Sequence, residues 1–129
     1  MKNWTLCVAG LGGAAAVVAG AVGSHALALD PASQAGHSYE LAVNYLLVHS
    51  VALLALGLHR RTGQRSALPL RLAAVLFTCG MILFSGSLIV ATILDDASLK
   101  VLAPYGGSSM IAGWLAVALA AFRRPSATD

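Results

Sequence analysis

Four apolar stretches, each long enough to cross a lipid bilayer, constrain this chain more than any other feature. They run from Trp4 to Leu27, Tyr39 to Leu58, Leu70 to Leu94 and Val101 to Phe122, and about 20 apolar residues suffice for one helical crossing. Seven of the eight lysines and arginines lie before the first stretch, at the gap between the second and third, or after the fourth. Positive charge gathers on the cytoplasmic side of membrane proteins. The pattern therefore predicts an all-α integral membrane protein, an antiparallel four-helix bundle filling residues 1–129 as a single transmembrane domain. Both termini are expected in the cytoplasm, across a cell inner (plasma) membrane. Short outer loops make sequential helices antiparallel neighbours, so a left-handed up-down-up-down bundle is the expected arrangement.

Composition agrees. The chain is 58% apolar and 10% charged, with a mean hydropathy of +0.80. A soluble fold of 129 residues would lack polar surface to cover such a core. The net charge of +3 does not imply nucleic acid, because the basic residues sit at helix ends, where topology and anionic headgroups explain them. Lys2, the apolar run and Ala26-Leu27-Ala28 have the order of a secretory signal, but the run is longer than a signal core, so an uncleaved first helix is expected. Cys7 and Cys79 lie in apolar stretches without Cys-x-x-Cys or histidine partners at metal-ligand spacing, and read as small apolar residues within a bundle rather than a metal site or disulfide.

Small residues recur at spacing four. Gly12, Ala16, Gly20 and Ser24 make one such face, and Ser108, Ala112, Ala116 and Ala120 another, as expected where helix backbones approach closely in lipid. Pro104 is tolerated at a helix start, where no N–H is needed. Gly86, Gly106, Gly107 and Gly113, with Ser85, read as packing positions. Nothing supports nucleotide binding, since no Walker lysine follows the glycines. The stretches 23–33 and 86–98 share only a faint order of Gly-Ser, Asp and Ala-Ser, with unmatched spacings.

Polar residues inside the spans carry the functional question. Counting from His59 places His49 near the midplane, with Tyr45 one turn away on the same face. Glu40 and Asn44 share a face nearer the outer boundary, and Ser24 and His25 approach that level from the first helix. Two readings stand: a polar cluster of Ser24, His25, Glu40, Asn44, Tyr45 and His49 serving a small solute or protons, or a hydrogen-bond network that fixes packing. Haem and metal are not expected, because His25 and His49 differ in depth by about 15 Å. Cofactors are expected to be none. No Ser-His-Asp set, paired catalytic carboxylates or His-Glu-x-x-His is present, which gives no case for an enzyme.

Four ordered motifs resemble one family. Gly20-Ala21-Val22-Gly23-Ser24-His25-Ala26-Leu27, Asn44 to Leu54, Phe84-Ser85-Gly86-Ser87-Leu88, and Ala103-Pro104-Tyr105-Gly106-Gly107 with Ile111 to Leu115 are similar to the domain of unknown function 423 family, which includes transmembrane protein 256 of animals. The chain departs from the family pattern at Ser24, usually Ala, and at Leu46, usually Gln. The resemblance implies a small four-span inner-membrane protein and highlights His25, His49, Ser85, Gly86, Pro104 and Gly107, without supplying a substrate, cofactor or catalytic residue. The expected role is a structural or accessory subunit, partnered by lipid and by itself or a larger membrane complex.

Overall fold

A computed structural model of the chain describes residues 3–62 and 68–122. Four helices long and apolar enough to span a membrane account for most of it: α1 (Trp4–Ala26), α2 (Gln34–His59), α3 (Leu68–Ile93) and α4 (Ala97–Ala120). Among the described residues there is no β-strand. Helix α1 packs along α2, α3 packs along α4, and α2 lies against α3 to join the two hairpins. Large apolar side chains such as Val17, Ile82 and Ile111 remain about two-thirds exposed (69%, 65% and 64%). Such a surface is at home in hydrocarbon rather than water.

The boundaries differ from the sequence expectation where capping decides them. Helix α2 begins five residues earlier than Tyr39, because the Ser33 hydroxyl accepts from the Gly36 N–H at 3.0 Å and so caps the helix. The mixed segment 34–38 is thus helical rather than loop. Helix α4 opens with a 3-10 run, Ala97–Leu102, capped by Asp96, and Pro104 falls just inside the α-helical part, at Ala103–Ala120. Its missing N–H lies at the change of helix type.

Two helices carry π-helical turns, at Val22–Ala26 in α1 and Met81–Gly86 in α3. Each wide turn shifts the face presented by the residues that follow. Beyond α1 the chain reverses through Ala28 at φ 42°, and beyond α3 through Asp95 at φ 52°. Aspartate tolerates this left-handed backbone better than alanine does.

Each predicted small-residue face is packed only in part, at Gly12 and Ala16 in α1 and at Ala116 in α4. In α1 the packed residues are Thr5, Ala9, Ala16, Ala19 and Gly23, with Gly12 against Ser50 and Met81, while Ser24 is exposed. In α4 they are Ala103, Gly106, Met110, Gly113 and Ala116, and Ser108 is exposed. Spacings of three and four alternate in α1 and mix in α4, as along a helical seam rather than a strict step of four. Core residues Ala9, Leu53, Phe77, Met81 and Met110 draw on all four helices. Most hydroxyls in the spans bond their own helix, as Ser50 does to Leu46 O at 2.7 Å and Thr78 to Ala74 O at 2.8 Å. That satisfies them without water.

At the end of the bundle formed by the α2–α3 connection, Asn3 donates to Gly57 O at 2.7 Å and Arg60 donates to the Thr5 hydroxyl at 3.3 Å. Arg61 and Arg71 lie at the same end of that hairpin. The basic residues Lys2, Arg65, Arg123 and Arg124 fall outside the described residues.

Candidate functional site

Near the middle of the bundle, α2, α3 and α4 place five rings together. His49 is 3% exposed. Its ring stacks on Tyr45 at 5.8 Å and meets Phe77 edge-on at 5.2 Å and Trp114 at 6.1 Å. Tyr45 packs on Phe84 at 5.1 Å, and Phe77 on Trp114 at 5.0 Å. Both nitrogens of His49 are engaged. The Trp114 indole N–H points at Nε2 at 3.2 Å, and Nδ1 lies 2.8 Å from Tyr45 O.

An indole N–H can only donate and a carbonyl can only accept. Nε2 must therefore offer its lone pair, and Nδ1 carries the hydrogen. The arrangement selects one neutral tautomer and leaves no ring nitrogen for a ligand. Each interhelical hydrogen bond of this kind in lipid is worth on the order of 1 kcal/mol.

Sequence reading paired His49 with Tyr45, and the two rings do share a face. Trp114, Phe77 and Phe84 join them, which spacing alone did not indicate. A depth count could have found Trp114: it stands nine residues before Arg123, as His49 stands ten before His59. Helices α2 and α4 run in the same direction, so equal counts mean equal depth.

Apart from Tyr45, the other members of the expected cluster do not join His49. His25 and Asn44 are exposed, and Tyr45 is 42% exposed. Ser24 and Glu40 do meet, but elsewhere: both line a cavity of about 340 Å³ at the far end of the α1–α2 hairpin, beneath the turn carrying Leu29 and Pro31. Gly20, Gly23, Gly36, Tyr39 and Val43 complete its wall. The Tyr39 hydroxyl crosses to Ala19 O at 2.8 Å and holds α2 to α1 beside this cavity.

The packing positions divide as well. Gly12, Gly106 and Gly113 sit where an added Cβ would collide, with Ser50, with the backbone of Phe84, and with the Phe77 ring respectively. Gly20, Gly86 and Gly107 meet only ordinary contacts at 3.7 to 3.9 Å. Gly23, Gly57 and Gly80 are tight positions that spacing did not reveal. Pro104 is exposed, and Ser85 is buried with a hydroxyl that has no partner. Among the described residues, no group of three or more His, Cys, Asp or Glu side chains could hold a metal ion.

Four apolar spans around an aromatic core define a small polytopic helical membrane protein. Residues 19–107 match the family described as protein of unknown function DUF423, and the chain belongs to that family. A UPF0382 membrane protein of Staphylococcus haemolyticus is 31% identical over 81% of this chain and 83% of its own length. One from Haemophilus influenzae is 29% identical over 98% of this chain and 99% of its own. A third, from Schizosaccharomyces pombe, is 35% identical over 88% and 96%. No solved structure matches the chain.

Proposed function

We propose that this protein is an accessory subunit of the cell inner membrane that docks through the outward face of α1 against a second copy of itself or a larger membrane complex. The observation that carries the reading is Gly10: an added Cβ there meets nothing within 4 Å. Cys7, Gly10, Ala14, Val17 and Ala21 are all exposed, and at 100° per residue they lie opposite the buried seam of α1. Glycine weakens a helix, and internal packing does not require it at this position. A helix from a neighbouring subunit would use it, since lipid offers small residues no comparable close approach.

Both termini lie in the cytoplasm on this reading. Support comes from Arg60, Arg61 and Arg71 at one end of the bundle and Asp30, Asp95 and Asp96 at the other. The role is assembly rather than catalysis.

Oxidative cross-linking in native membranes tests the docking face. With Cys79→Ala removing the second thiol, Cys7 is expected to form a covalent dimer, or a cross-link to a larger partner. Gly10→Leu should abolish it. A particle that stays monomeric in mild detergent and gives no Cys7 product in membranes would refute the proposal. A proton or solute conduit is the weaker reading, because both His49 nitrogens are engaged and His25 and Asn44 face outward. Proteoliposome flux that disappears in His49→Ala would restore it.

A further inference from the structure

The cavity between the acidic ends of α1 and α2 has a chemistry that packing does not use. It is half open, with a mainly apolar wall and a volume of about 340 Å³, within the range of small-ligand sites. Each polar side chain on it offers lone pairs and no hydrogen. The Ser24 hydroxyl donates to Gly20 O at 2.9 Å. The Tyr39 hydroxyl donates to Ala19 O at 2.8 Å. Glu40 carries a carboxylate that has no bonded partner among the described residues.

Backbone donors are committed too. The Leu29 N–H bonds Gly23 O at 3.1 Å, and the Gly36 N–H bonds the Ser33 hydroxyl at 3.0 Å. Pro31 has none, and the remaining lining residues lie within helices. Asp30 stands between the lining residues Leu29 and Pro31 but does not line the cavity, and its Oδ1 accepts from the Ala32 N–H at 2.9 Å.

An anion entering here would find no free side-chain donor and the Glu40 carboxylate. A cation with an apolar body would find a carboxylate, free lone pairs and the Tyr39 ring, whose face attracts positive charge. We infer that this cavity binds a small monovalent organic cation, an ammonium group on an apolar body, with Glu40 as its counter-charge.

Gly20 keeps the space open without being needed for contact, since an added Cβ lies 3.7 Å from Val43. Gly23 and Gly36 cannot serve as test positions, because a Cβ would strike the Tyr39 ring or the Asp30 carbonyl.

The full chain in non-ionic maltoside detergent at pH 8, above the ordinary histidine range, is titrated calorimetrically with benzyltrimethylammonium. Neopentylbenzene, its uncharged isostere, is the competitor. One saturable site is expected, with no competition from the isostere. Glu40→Gln keeps the shape and removes the charge, and should weaken binding about fivefold, the scale of a partly exposed ion pair. Gly20→Ala should weaken it by crowding, while Asp96→Asn on the other hairpin should leave it unchanged.

Equal affinity in Glu40→Gln, competition by neopentylbenzene, or no saturable binding at all would overturn the assignment. Displacement by phosphatidylethanolamine added at one molecule per protein would overturn it as well, by assigning the site to a lipid headgroup. Glu40→Gln must first match the parent in helical content and elution volume, and Glu40→Asp, which retains the charge, should retain most of the affinity.

Discussion

The α3–α4 seam and the α1–α2 seam use the same kinds of residue and reach different ends. Between α3 and α4 the backbones themselves touch. Gly106 lies against the Leu83–Phe84 backbone, Gly80 against Met110 and the Gly106 carbonyl, and Gly113 under the Phe77 ring. The Ser109 hydroxyl then bonds Leu76 O across the gap at 2.8 Å. Between α1 and α2, contact is close near Gly12, Gly23 and Gly57, but the helices part beside Gly20 and leave the acidic-end cavity. Glycine closes one interface and opens part of the other. What distinguishes the two roles is the atom opposite each glycine: the rigid Phe84 backbone against Gly106, and only an ordinary van der Waals contact with the Val43 side chain beside Gly20.

The largest effect should come from closing the difference on the tight side. Gly106→Ala places a methyl group against the Phe84 backbone, which cannot swing aside as a side chain can. A loss of about 2–3 kcal/mol is expected, read as a lowered unfolding midpoint in mixed micelles. Wild-type stability in that variant would mean the α3–α4 seam is no tighter than its counterpart.

Trp114→Phe retains most of the ring but removes the donor to His49 Nε2. A buried acceptor left unpaired costs about 1 kcal/mol, so the same unfolding measurement should show a smaller loss. Trp114→Phe combined with His49→Phe should recover part of it. If the double variant is no better than the single one, the hydrogen bond is not what matters there.

On the open side, Gly20→Ala should be neutral or stabilising, by up to about 0.5–1 kcal/mol from helix propensity. The opposite signs of Gly20→Ala and Gly106→Ala are the sharpest test of the comparison.

The smallest effect is at the α3–α4 turn. Hydrogen bonds from the Ser98 side chain and from its N–H, at 2.9 Å, hold the Asp96 carboxyl below its usual value. A group depressed on folding adds stability above its unfolded pKa and loses it as pH falls through the folded one. Acidification from neutral pH should therefore leave this cap intact until below the ordinary aspartate range. Asp96→Asn should flatten the small acid-side slope of unfolding free energy against pH.

Spans, their alternating direction and the mid-depth position of His49 with Tyr45 beside it were legible because charge, length and helical spacing encode them. Rotation of each helix about its own axis was not. In water, polar residues mark the outward face, but here Val17 and Leu53 are equally apolar although one is 69% exposed and the other 0%. Nothing in composition separates lipid-facing from buried positions, so a step of four was chosen where steps of three and four mix. The π-helical turn at Met81–Gly86 compounded this by shifting the face of every later residue in α3. The candidate cluster failed for the same reason, since His25 and Asn44 were placed at suitable depth but at the wrong angle. Ser24 and Glu40 met because their depth and angle both agreed.

The bond from Trp114 to His49 also gives the bundle an optical gauge. An indole whose N–H is held by an imidazole emits according to that ring's charge and distance, and the chain has only one other tryptophan, Trp4. Replacing Trp4 with phenylalanine would leave a single emitter, Trp114, half-exposed at mid-depth and bonded to His49. Its wavelength and lifetime would then report, without any added dye, whether α2 and α4 stay in register when a partner or a cation arrives.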